Sequence, residues 1–236
     1  MIPSMRSSVF KEYAHLKAYS LPSILKDNGY STLFFQAHQD LNFDNSSNVL
    51  LSNGFDSHKT VHNYLRKEDK SRIWGWGARD DLFFERFFEY LDKQEKQTKD
   101  FKPLFVALPT ISNHMDFSHM PEDQRFIFPN PTKVEEDYAN SIFLTDIGIK
   151  VFFEELEKRE YLKNSIVIIV GDHGFPLGDH GIYQSVNGYF DESFRTPFLM
   201  VWNNKLKPKV ISEEAFSQVD IAPSLVDLLN LKIGKH

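Results

Sequence analysis

Short unbroken apolar runs alternate along this chain with longer stretches whose apolar residues recur every three or four positions. The short runs at residues 32–37, 103–110 and 197–202 predict strands. The run at 165–170 is bounded by polar residues and reads as a strand buried on both faces, as in a parallel sheet. Helical spacing predicts helices at 21–30, 80–91, 138–160 and 219–231, with Pro22 suited to the first turn of the first helix and Gly29 to its end. On the third helix Ile142, Thr145, Ile149, Phe152, Phe153 and Leu156 share the predicted inner face. Residues 93–102 alternate in charge sign and read as a solvated helix end and loop. Residues 117–133, with Pro121, Pro129 and Pro131, read as an exposed loop. Strands alternating with helices throughout predict an α/β domain, a mainly parallel sheet with helices on both faces.

The run at 165–170 stops abruptly at Gly171-Asp172-His173-Gly174. Side chains at the carboxyl end of such a strand sit where open α/β sheets bind ligands. An adjacent carboxylate and imidazole can both ligate a divalent cation, and the flanking glycines allow a sharp turn and a close approach. The same four residues read equally well as a tight turn after a core strand, with Asp172 capping it. The strand at 103–110 also ends in polar residues, at His114, so side chains distant in sequence can converge on one edge of the sheet. Taken singly, His114 also reads as a capping or surface histidine.

Composition narrows the function. The 236 residues, 41% hydrophobic and 25% charged, suit one soluble core rather than two complete domains. A net charge of -6 without a concentrated run of Lys or Arg argues against nucleic acid as a partner. The absence of cysteine excludes disulfides and thiolate metal sites. No apolar run reaches the length of a transmembrane helix, and the first six residues are not a signal peptide, so no membrane segment is expected in this chain.

Three sub-motifs follow in order: Asp172-His173-Gly174, then Leu177-Gly178-Asp179-His180-Gly181, then Tyr189-Phe190-Asp191-Glu192 leading into Arg195-Thr196-Pro197. With their spacing they resemble the sulfatase family of the alkaline phosphatase superfamily. The segments at 21–30, Asn53-Gly54-Phe55-Asp56 and Trp74-Gly75-Trp76-Gly77 extend the resemblance, most closely to its lipoteichoic acid synthase and phosphoglycerol transferase branch. The closing helix resembles its counterpart as well.

The resemblance implies an alkaline phosphatase-like fold and metal-dependent hydrolysis or transfer of sulfuric or phosphoric esters, glycan- or lipid-linked ones included. It makes Asp172 and His173 metal ligands for Mn²⁺, Mg²⁺, Ca²⁺ or Zn²⁺, which supplies the local neutralisation an acidic protein needs for an anionic substrate. It makes His114 a catalytic imidazole, and His38, Asp40, His180 and Arg195 substrate-binding groups. His180 reads equally as a turn histidine, and Arg195 equally as a partner of Asp191 or Glu192. Asn42-Phe43-Asp44-Asn45 stands where the branch has a Trp-Asn-Arg step, and Gln184-Ser185-Val186-Asn187 lacks the lysine of many sulfatases. The family's acidic first-strand ligand and Ser/Thr/Cys nucleophile lie ahead of the segment at 21–30. Ser4, Ser7 and Ser8 follow no strand and no acidic partner, so no nucleophile is nominated. Residues 1–236 are therefore expected to form a single sulfatase-like domain lacking its first strand and helix, the C-terminal portion of a longer domain. A full-length protein of that branch would be extracytoplasmic and membrane-anchored; the competing reading is a catalytically incomplete domain with a binding role.

Overall fold

A computed structural model describes residues 9–12, 14–183, 190–212, 214 and 216–234. Among them the elements run α1 (Val9–Glu12), α2 (Leu21–Asp27), β1 (Ser31–Gln36), α3 (Ser46–Ser52), β2 (Ser57–Thr60), β3 (Ile73–Trp74), β4 (Gly77–Ala78), α4 (Asp80–Gln97), β5 (Leu104–Ala107), α5 (Val134–Glu157), β6 (Ile166–Val170), β7 (Phe198–Trp202) and α6 (Ile221–Leu228). Ser4, Ser7, Ser8 and the segment 184–187 lie outside the described residues.

The parallel sheet has the order β2-β1-β5. Strand β1 divides its side chains by the two-residue period of a strand. Leu33 and Phe35, with Ala37 just beyond the strand, are buried against Leu82, Phe83 and Phe87 of α4. Thr32, Phe34 and Gln36 face the other way, where Phe34 meets Phe55 and His58 edge-on and Thr32 bonds Gly54 and Asp56. Helix α4 covers the first of these faces, and α2 lies against β1. Ser20 caps α2 by accepting from Ser23 N, and Gly29 ends it at φ +89.

Helix α5 packs along α4 with part of the predicted face inward: Thr145 bonds Asp80, and Phe152 and Leu156 pack against the core. Ser141, Leu144 and Gly148 are buried beside them, whereas Ile142, expected inside, is 41% exposed. The cause is a close helix crossing: a Cβ on Gly148 would lie 2.6 Å from Asp80 Cβ, so small residues make the contact. The 117–133 segment is likewise less exposed than its composition suggests, since Phe117, Met120 and Gln124 are buried.

The largest departure concerns β6. It pairs antiparallel with β7, from Ile166 opposite Trp202 to Val170 opposite Phe198, in a ladder separate from the parallel sheet. No other described strand pairs with it, so its residues are part-exposed and Val170 is 37% exposed rather than buried on both faces. Helix α6 ties this unit to the rest, because Lys232, just beyond it, exchanges two hydrogen bonds with Asn28 at the end of α2.

Candidate active site

The chain leaving β6 is held in a fixed turn. Asp172 Oδ1 accepts from His173 N at 2.9 Å, and Gln218 donates to the carbonyls of Gly171 and Asp172 at 2.6 and 3.1 Å. Gly174 is needed for close approach to the chain's own backbone: a Cβ there would lie 2.2 Å from the Glu192 carbonyl oxygen. That clasp locks the turn to the segment entering β7.

The result is an acid and an imidazole presented outward. The Asp172 side chain is 91% exposed, with Oδ2 3.7 Å from His173 Nε2. His173 Nδ1 lies 2.8 Å from the Gly174 carbonyl, which can only accept, so Nδ1 carries the proton and Nε2 keeps a lone pair. This is the tautomer arrangement common to histidine metal ligands. One oxygen and one nitrogen donor suit a divalent cation as part of its ligand set. Among the described residues no group of three or more His, Cys, Asp or Glu is placed to hold one.

His114 lies on the loop after β5, and Asp80 anchors that loop. The Asp80 carboxylate, wholly buried at the start of α4, accepts from the backbone N–H of Ile111 and Ser112 at 3.0 Å each and from Thr145 Oγ1 at 3.2 Å. Burial raises its pKa, against these bonds that favour the charged form. His114 Nδ1 bonds the Met115 carbonyl, which turns Nε2 away from its own backbone. Four rings gather here: Trp76 lies 4.8 Å from His114 and 5.8 Å from His38, and Phe43 lies 4.9 Å from His38. Asp40 accepts from Asn42 N beside them.

The two loops meet. Phe117 packs edge-on against Phe175 at 5.2 Å, and Met115–Ser118 and Phe175 line one cavity of about 370 Å³. The loop carrying His114 and the one following His173 therefore share a rim, although β5 and β6 are not in one ladder. His180 bonds Glu192 at 2.8 Å and stacks on Phe190 at 3.9 Å, while Arg195 pairs with Asp191 at 3.0 Å. Both are thus held by local partners. Trp76 and Asp80 were not singled out from sequence as site residues; the Trp-Gly-Trp-Gly repeat and the Asp-Asp pair opening α4 were the signals available.

The α/β domain has an alkaline phosphatase-like fold, as its structural neighbours show. The fold is shared with the lipoteichoic acid synthase LtaP of Listeria monocytogenes, at TM-score 0.81 and 23% identity over 98% of this chain and 57% of that one. A protein of the alkaline phosphatase superfamily from Vibrio parahaemolyticus matches with TM-score 0.73 and 24% identity over 96% of this chain and 51% of that one. The Sulfatase family model matches residues 4–231, and the chain belongs to that family. It is 23% identical to lipoteichoic acid synthase 2 of Bacillus subtilis over 98% of its own length and 35% of that protein's, so it spans about a third of this curated relative.

Proposed function

We propose that the domain takes part in hydrolysis or transfer of sulfuric or phosphoric esters, with a divalent cation held in part by Asp172 and His173. The observation that carries this reading is the outward-facing acid–imidazole pair, with its Nε2 lone pair free, on the rim that the His114 loop also borders. A bound Mn²⁺, Mg²⁺, Ca²⁺ or Zn²⁺ would neutralise charge on the ester oxygens and activate an attacking oxygen. Asp172 would supply an oxygen ligand and His173 Nε2 a nitrogen ligand, with the remaining ligands coming from outside this pair. His114, steadied by Met115 and Trp76, gives its Nδ1–H to the Met115 carbonyl, so its Nε2 accepts a proton from an attacking oxygen and the imidazolium so formed returns it to the leaving oxygen. His38 and Asp40 bind the substrate from the loop after β1. His180 orients Glu192, and Arg195 offers its remaining N–H groups to an anionic oxygen.

A second reading, a sulfatase-like domain that binds cation or ester without turnover, is favoured by the two-member donor group among the described residues. A panel of p-nitrophenyl phosphate, sulfate and bis-p-nitrophenyl phosphate, assayed with each cation, separates the two. The first reading expects turnover that chelation abolishes and Asp172→Ala removes. Cation binding without turnover of any ester would sink it and leave the second.

A further inference from the structure

We infer that Gln36 and His58 are positioning residues: together they fix the turn that carries His38 and Asp40, the two side chains assigned above to substrate binding, and the inference rests on that assignment. Gln36 ends β1 and is buried, with both N–H groups and the carbonyl oxygen of its amide engaged. Nε2 donates to the carbonyls of His38 at 3.1 Å and Asp40 at 2.8 Å, and Oε1 lies 2.7 Å from His58 Nε2. Chemistry decides which way the amide points, because only its NH2 group can meet two carbonyl oxygens. Oε1 therefore faces His58, which donates from Nε2. The His58 Nδ1 is then bare, and that atom is buried without a hydrogen-bond partner among the described residues. Burial pushes the imidazole down, which keeps this neutral form. From the same strand as His58, Thr60 Oγ1 donates to the His38 carbonyl at 2.7 Å.

Strand pairing does not need this network. The backbone register already sets Phe34 opposite His58 and Gln36 opposite Thr60, and an apolar pair of similar shape would fill the same space at little or no cost in stability. A buried amide and imidazole are costly unless every polar group is met, and here one imidazole nitrogen is not. What the network does supply is a fixed course for residues 38–40, whose carbonyls at 38 and 40 turn back onto the Gln36 side chain. The His38 ring then lies against the backbone of that turn, with Nδ1 3.1 Å from both N and O of Asp40. Held there, the ring stands 4.9 Å from Phe43 and 5.8 Å from Trp76. Gln36 and His58 are both buried, so they act on substrate only through His38 and Asp40.

The test follows the His38 ring signals by NMR in the metal-free protein, whose position reports the ring currents of Phe43 and Trp76, together with KM and kcat for any p-nitrophenyl ester the wild type turns over. Gln36→Met keeps the side-chain shape and removes both donors to the turn. It moves the His38 signals off their wild-type positions while those of His173 and His180 stay, and it raises KM by roughly fivefold or more with kcat within about twofold. His58→Phe, which leaves the amide without its anchor, gives a smaller change of the same kind. Val49→Ala, a cavity in α3 outside the network, leaves the His38 signals and KM where they were. Circular dichroism confirms that each variant is folded, and the double variant Gln36→Met/His58→Phe, which leaves neither polar partner behind, decides the matter if Gln36→Met is not. His38 signals unmoved in a folded Gln36 variant, equal movement in Val49→Ala, or a fall in kcat with KM unchanged overturns the positioning role. Because the ring signals need neither cation nor turnover, movement of His38 in a protein that turns over no ester upholds the clamp and counts against the ester-processing reading alone.

Discussion

The two sides of the candidate site are built differently. The loops bearing His38 and His114 rise from a region whose core is closed, with Phe35, Leu82 and Phe83 at 0% exposure and the buried pair Asp69–Arg86 at 2.6 Å beneath α4. The loop bearing Asp172 and His173 rises from a two-stranded ladder whose outer residues stay wet: Phe198 is 50% exposed and Leu199 49%. One side of the site is thus positioned by packing, and the other by a backbone clasp of Gly174, Glu192 and Gln218. A ligand or cation that bridges the rim therefore has more to order on the β6 side than on the β1 side.

This contrast can be broken by mutation. The largest effect is expected from Phe83→Ala, which should cost about 3–5 kcal/mol in urea unfolding, against under about 1 kcal/mol for Leu199→Ala. Equal costs would mean that the two units share one core. Nearly as large is Asp69→Asn, which removes the buried charge bonded to Arg86 Nε and Nη2 and leaves that guanidinium only Glu89, and should cost about 3 kcal/mol. Asp69 is held well below the usual carboxylate range, first by its bonds to Arg86.

A pH titration sharpens the contrast further. Burial pushes the imidazoles of His58 and His62 down, the latter helped by the charge of His38. The unfolded chain takes up those protons near ~6.5 while the folded state resists them, so stability is fully present above that pH and falls as the pH drops through it. Hydrogen exchange of β1 and β2 amides should therefore accelerate at pH 5.5 relative to pH 7.5, after correction for intrinsic rates, more than that of β6 and β7. The reverse order would contradict the assignment. The smallest effect belongs to the exposed pair Arg195–Asp191, at 80% and 61% exposure, where Arg195→Ala should move stability by at most about 1 kcal/mol.

The same division explains what the sequence showed. Unbroken apolar runs located β1 and β5 and period-3.6 spacing located α2 and α4, because these signals are local to each element, and the ordered motifs around Asp172, His180 and Arg195 gave the family. Burial of β6 was misread because a run of Ile and Val does not reveal which strands lie beside it. The inner face of α5 was only partly legible: Thr145, Phe152 and Leu156 do turn inward, but Ser141 and Gly148 pack by being small, which a hydrophobic pattern scores as polar or neutral. Trp76 reads in the sequence only as part of the Trp-Gly segment that extends the resemblance, since its contacts with His38 and His114 come from just after β1 and from the loop after β5, and only folding brings those together.

The central claim is that Asp172, His173 and His114 serve one cation-dependent site. It is tested most directly by titrating the protein with Mn²⁺ while following the ring signals of all histidines by NMR. The account predicts that paramagnetic broadening is strongest at His173, reaches His114 over the same range of Mn²⁺ concentration, and disappears from both in Asp172→Ala. Saturation with Mn²⁺ that leaves the His173 and His114 rings sharp, or broadening of either that survives Asp172→Ala, would contradict it.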